Sequence, residues 1–203
     1  PALDDDDDLW LQATVDGQVL PAPPARLLAE GRQARVPLLI GSNAQELVSG
    51  GLEGVTARLR RDYPGQADAV LAGYDDTAGR YGDTAMQLST DLGFRCPALR
   101  VAQLQAAAGA PTWHYEFDLA GPGAAVTHSA ELAFVFKGLP IGTPALTLQR
   151  YWAAFAHAGD PNVAGLPAWP AFAPDRTSLR FTDAGAAPVG HLRQAICEHL
   201  DRP

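Results

Sequence analysis

Lysine is all but missing from this 203-residue chain: Lys137 is the only one among fifteen basic residues, set against twenty-three acidic ones. The formal net charge is −8. The basic surface that neutralises phosphates is therefore absent, which excludes a nucleic-acid partner. No apolar stretch approaches the roughly 18 residues a bilayer crossing needs, so no membrane span is expected. No segment has the form of a signal peptide. The cysteines are only two, Cys96 and Cys197, and no Cys-x-x-Cys or His-Glu-x-x-His spacing occurs, so no cofactor or metal is expected. Internal repeats and interdomain linkers are also missing. What is present is a chain heavy in Ala, Gly, Pro and Arg, a usage that points to a GC-rich bacterial source. Its 47% hydrophobic content is enough for a sizeable core.

The local patterns read as an α/β protein. Asp4 to Asp8 form a run of five aspartates, and residues 1–8 are expected as a solvated tail or loop. Asp16-Gly17, between Thr14-Val15 and Gln18-Val19, predicts a two-residue hairpin turn. Pro23-Pro24 to Glu30 predicts a short helix ended by Gly31. Val36 to Gly41 is apolar without alternation, as in a parallel strand covered on both faces. From about 52 to 92, glycines and Pro64-Gly65 divide a helical pattern into the short helices of a cap. Cys96-Pro97 opens a helix that stops at Gly109. Thr112 to Phe117 alternates like a strand, with Trp113, Tyr115 and Phe117 on one face. Leu148, Tyr151, Trp152 and Phe155 form a helical stripe ended by Gly159. Ser178 to Thr182 predicts a late edge strand, and His191 to Leu200 a closing helix.

Two positions carry chemistry. Glu46 follows the apolar strand in Ser42-Asn43-Ala44-Gln45-Glu46, at the end of the strand where ligands bind in open α/β sheets. His128 stands in Val126-Thr127-His128-Ser129-Ala130-Glu131, with small residues before it and Phe134 and Phe136 after it. A carboxylate can fix one imidazole nitrogen as a donor and stabilise the imidazolium, leaving the other nitrogen to take a proton from a hydroxyl nucleophile. That nucleophile is not visible: none of Ser42, Ser49, Ser89, Ser129 or Ser178 sits in a Gly-x-Ser-x-Gly frame. Glu131 reads as a structural hydrogen-bonding group and Gln45 as solvated. His114, His157, His191 and His199 read as structural. Phe134, Phe136 and Trp152 are pocket candidates that at this spacing are more often core.

These segments, with Asp91-Leu92-Gly93-Phe94-Arg95-Cys96-Pro97, Gly159-Asp160-Pro161-Asn162, Trp169-Pro170-Ala171-Phe172 and His191 to Cys197, resemble in order the C-terminal part of the type-B carboxylesterases, the family of para-nitrobenzyl esterases and cholinesterases. Gln45, Leu47, Ser129 and Lys137 depart from the family pattern. The resemblance implies the C-terminal portion of an α/β-hydrolase fold, a mostly parallel sheet flanked by helices. It also implies carboxylic ester hydrolysis by a Ser-His-Glu triad, with Glu46 as the acid and His128 as the general base. The serine and oxyanion hole would come from an N-terminal part of the same enzyme, so the chain is expected to be a fragment that is inactive alone. The partners implied are a small-molecule carboxylic ester and that N-terminal part. The same likeness suggests a Cys96–Cys197 disulfide and hence a secreted or periplasmic protein; two free thiols in a cytoplasmic enzyme remain the alternative. A non-catalytic cholinesterase-like binding or adhesion protein is the alternative function.

Overall fold

The computed structural model describes residues 14–48, 50–74, 79–120, 124–136 and 143–201. The aspartate run and Lys137 lie outside them. The chain divides into two compact units, residues 1–34 and 35–203.

In the first unit the expected hairpin does not form. Asp16 Oδ1 accepts from the backbone N–H groups of Gln18 and Leu20, both at 3.0 Å, and Gly17 turns the chain at φ 77°. One carboxylate thus serves two amides, and the local turn outcompetes a cross-strand ladder. Those same amide bonds hold the Asp16 carboxyl below its usual range. Val15 and Val19 are exposed, so no apolar face favours pairing. Helix α1, Pro24–Ala29, follows as the sequence predicts, with proline in its first turn.

The second unit is built on a four-stranded sheet: β1 (Leu38–Asn43), β2 (Thr112–Asp118), β3 (Thr177–Thr182) and β4 (Gly185–Gly190), side by side in that order. The first three are parallel and β4 is antiparallel to β3. Strand β1 starts two residues later than the apolar run suggests. Pro37 has no N–H to give and the Val36 carbonyl is taken by Gln105 Nε2, so the ladder begins at Leu38, which donates to Pro111. Gly41 lets the strands meet there: a Cβ would lie 2.4 Å from the Tyr115 ring.

Strand β2 is covered on both faces. His114 and Glu116, on its polar face, are as buried as Phe117 on the other. Strand β3 is interior rather than the expected edge, because β4 pairs beyond it. The Gly-Ala-Ala-Pro-Val-Gly run of β4 has no strand-like pattern, and Pro188 fits an outer strand.

The helices are α2 (Gly51–Asp62), α3 (Ala67–Leu71), α4 (Thr84–Thr90), α5 (Cys96–Ala107), α6 (Leu132–Phe136), α7 (Thr143–Ala158) and α8 (Gln194–Leu200). The interrupted pattern of 52–92 is thus a set of short helices. Cys96-Pro97 does not start a helix from a loop as expected. A π-helical turn, Asp91–Arg95, joins α4 to α5, with Cys96 N–H donating to Asp91 O. Pro97 cannot supply the next ordinary helical bond, which fits a change of register at this point. Helix α8 is shorter than predicted because His191 and Arg193 adopt left-handed backbone conformations.

One core cluster gathers Leu59, Val70, Leu88, Leu99, Phe172 and Ile196 around the disulfide Cys96–Cys197, whose Cα atoms are 5.1 Å apart. The alternative of two free thiols is therefore set aside. The other cluster is aromatic: Trp169 packs edge-on against Tyr151 and Phe181 at 5.3 and 5.5 Å, and α7 lays Leu148 and Tyr151 onto it. Trp152 and Phe134 pack against this cluster, whereas Phe136 is exposed.

Candidate functional site

The site lies where β1 ends and where the loop leading into α6 begins. Past Asn43 the chain turns sharply enough for the Glu46 side chain to fold back, so that Oε1 accepts from the Asn43 backbone N–H at 2.7 Å. Its other oxygen, Oε2, is 2.6 Å from His128 Nδ1, across 82 residues of sequence. The carboxylate is nearly sealed, with its side chain 5% exposed, while the imidazole is 40% exposed. A buried acid thus holds a histidine that solvent can reach, and because Nδ1 faces the carboxylate, Nε2 is the nitrogen turned away from it. The Phe94 ring leans against the imidazole, with centroids 5.3 Å apart, and limits its rotation.

The two loops are also tied to each other. Asn43 Nδ2 donates to Thr127 O at 3.2 Å and to Glu131 Oε2 at 2.7 Å. Glu131 therefore acts as the hydrogen-bonding group the sequence suggested, holding the histidine loop to the strand end. Ser129, one of the departures from the pattern the sequence resembles, adopts φ 64°, a region that glycine enters at less cost. Gln45 is not simply solvated: its Nε2 donates to Arg80 O at 3.0 Å.

Behind the acid loop lies a charged cluster that sequence reasoning missed. Asp91 pairs with Arg95 and, at 2.8 Å, with Arg193; Glu116 pairs with Arg180 and lies 3.4 Å from Arg95 Nε. Burial disfavours the Arg95 charge, but Asp91 and Glu116 outweigh it and raise the guanidinium above its ordinary value. Tyr81, over which Arg95 stacks at 4.8 Å, is pushed up to about 12 by burial and then by Glu116. The i, i+4 spacing of Asp91 and Arg95 was the available signal, but the pairings of Glu116 with Arg180 and of Asp91 with Arg193, 64 and 102 residues apart, left none.

The remaining histidines fall elsewhere. His114 is wholly buried with Nδ1 2.8 Å from Ser178 Oγ, and burial, aided by Arg95, lowers it to about 3, which keeps it neutral. His157 is in the last turn of α7. Of the serines, Ser42 is buried, Ser89 binds Leu47 O and Ser178 faces His114; Ser49 lies outside the described residues. Among the described residues no group of three His, Cys, Asp or Glu side chains is placed to hold a metal, and no helix is long and apolar enough to cross a membrane.

The carboxylesterase family model matches residues 52–196. Liver carboxylesterase 1 of Oryctolagus cuniculus is 30% identical over 205 residues, and liver carboxylesterase of Sus scrofa 32% over 204; each match covers 80% of this chain and 36% of the relative. The chain therefore spans just over a third of the length of these curated relatives. A thermophilic PNB esterase superposes with a TM-score of 0.73 at 25% identity, covering 93% of this chain and 43% of that structure. The fold is thus the expected portion of an α/β-hydrolase. Family match, relatives and fold agree, and the chain belongs to the carboxylesterase family.

Proposed function

We propose that this chain supplies the acid and the general base of a Ser-His-Glu triad for hydrolysing small carboxylic esters in a type-B carboxylesterase. The serine and oxyanion hole come from a segment outside these 203 residues. The observation that carries this reading is the 2.6 Å contact between the buried Glu46 carboxylate and the half-exposed His128 ring.

In this mechanism Glu46 holds the proton on Nδ1, so Nε2 is the basic nitrogen. It takes the proton of the serine hydroxyl as the oxygen attacks the ester carbonyl, and Glu46 stabilises the imidazolium so formed. The proton passes to the leaving alkoxide, the carbon–oxygen bond breaks, and an acyl-serine remains. A water then repeats the sequence, giving its proton to His128 and releasing the carboxylic acid with the serine restored. None of the chain's serines lies in a Gly-x-Ser-x-Gly frame, so the chain alone is expected to be inactive. The covalent Cys96–Cys197 link supports an exported, secreted or periplasmic setting, where disulfides persist.

The test is Glu46→Gln in the complete enzyme with a para-nitrophenyl ester. Loss of the orienting charge is expected to lower kcat on the order of 10⁴-fold, by analogy with serine proteases. Hydrolysis within a few-fold of the parent enzyme removes Glu46 from the mechanism.

A further inference from the structure

Segment Ser89–Arg95 grips the loop that carries Glu46 at several points. Ser89 Oγ donates to Leu47 O, and Thr90 Oγ1 accepts from the Glu46 N–H at 3.0 Å. Arg95 Nη2 donates to both Asn43 O and Ala44 O, at 3.2 and 2.7 Å. Both carbonyls belong to the two residues at which the chain leaves β1, and Asn43 is also the residue whose N–H holds Glu46 Oε1. Arg95 itself has no freedom to drift. Its side chain is fully buried, Asp91 holds Nη1, Glu116 sits beside Nε, and Tyr81 stacks on its plane.

A π-helical turn makes this grip possible. Its one-residue expansion lies between α4 and α5, and such insertions often mark functional positions because they re-aim side chains. Here Thr90, at the end of α4, and Arg95, at the end of the turn, both reach the acid loop. A guanidinium suits the task because its planar fork can serve two carbonyls and a carboxylate together, whereas an ammonium is a compact point charge.

We propose that Arg95, assisted by Thr90, is a positioning residue for Glu46, setting the carboxylate where it can meet His128. The inference rests on the triad reading given above. It differs from a merely structural role in one respect: Arg95 acts on turnover through Glu46, so its contribution disappears when the Glu46 charge is gone.

The experiment is a double-mutant cycle in the complete enzyme, reading kcat, KM and thermal midpoint with a para-nitrophenyl ester. Arg95→Lys keeps the cluster's charge but loses the fork. It is expected to lower kcat roughly 10- to 100-fold, the scale of an ångström-sized misplacement, with KM little changed. In a Glu46→Gln background the same substitution is expected to change kcat less than about twofold. Arg180→Gln removes a charge from the same cluster without touching the acid loop, and its kcat is expected to stay near that of the parent. Thr90→Val, which removes only the acceptor for the Glu46 N–H, follows the Arg95→Lys pattern with a smaller loss and carries the cycle if Arg95→Lys does not fold. Equal fold-losses in the two backgrounds, an unchanged kcat in folded Arg95→Lys, or an equal loss in Arg180→Gln overturns the positioning role. If Glu46→Gln itself leaves kcat intact, the triad reading fails and this inference with it; if Glu46→Gln is damaging and Arg95→Lys is not, this inference fails alone.

Discussion

Glu46 and Glu116 are both buried carboxylates at neighbouring parallel strands, and Glu116 is directly opposite Ser42 at the end of β1. Their partners differ. Glu46 faces a half-exposed imidazole that solvent can reach. Glu116 is enclosed by Arg95 and Arg180, whose charge is permanent at any pH at which the fold survives. A carboxylate opposite a titratable, solvent-reachable group can take part in proton exchange, whereas one locked between guanidiniums can only hold structure. Each ionisable group is buried at a cost that its partners must offset, and the partner determines what use is made of it.

The contrast can be broken by experiment. The largest effect is expected for His128→Ala in the complete enzyme, which removes the base: acylation measured by single-turnover release of para-nitrophenol should fall on the order of 10⁶-fold, as in serine proteases that lose their histidine. The thermal midpoint should barely move, since the ring is partly exposed. A loss of only tenfold would place the base elsewhere.

Removing the disulfide with a Cys96→Ala, Cys197→Ala pair acts on the other side of the contrast, because Cys96 adjoins Arg95. The link closes a separation of 101 residues. In the chain-entropy account such a link contributes about 4.7 kcal/mol, so urea unfolding should shift accordingly while kcat per folded molecule is largely kept. An unshifted midpoint would show the bridge to be energetically idle.

Glu116→Gln leaves the buried Arg95 and the partly exposed Arg180 short of a counter-charge and should cost roughly 3–5 kcal/mol of stability by denaturant titration. Turnover of the folded enzyme should remain within a few-fold, because Asp91 still holds Arg95. A kcat loss matching that of Glu46→Gln would erase the distinction between the two carboxylates.

The smallest effect is a pH dependence. His114 falls from an ordinary 6.5 to about 3 in the fold. Between those values the unfolded chain binds a proton that the folded chain refuses, so stability is full above about 6.5 and declines as pH drops through the window. The fall in urea midpoint between pH 7.5 and 4.5 should be shallower in His114→Asn; equal slopes would mean that His114 is not responsible.

Much of this molecule was legible in the residues. The apolar run to Gly41, the alternation of Thr112 to Phe117, the stripe of α7 and the glycine at its end each report a local periodicity or a local stop, and each produced the expected element. The two residues that meet, Glu46 and His128, were also legible as candidates, through a strand end rich in Asn and Glu and a histidine framed by small residues. What misled was local as well. Asp-Gly reads as a hairpin turn, yet without apolar flanks the Asp16 carboxylate captured the nearby amides. Ser178 to Thr182 reads as an edge strand, but Ser178 is buried against His114, and β4, Gly-Ala-Ala-Pro-Val-Gly, offers no pattern to detect.

By itself the sequence determined that the stretches of β1, β2, β3 and α7 are strand or helix, and that one glutamate and one histidine stand in loops after strands. Only the tertiary structure decided that Glu46 Oε2 and His128 Nδ1 meet at 2.6 Å, that Asp91 is shared by Arg95 and by Arg193 102 residues away, and that His114 and Glu116 are sealed from water. Backbone preference and side-chain periodicity act over a few residues, so they mark the face on which a group stands. What covers that face, and which charge opposes it, is set by packing between segments far apart in the chain.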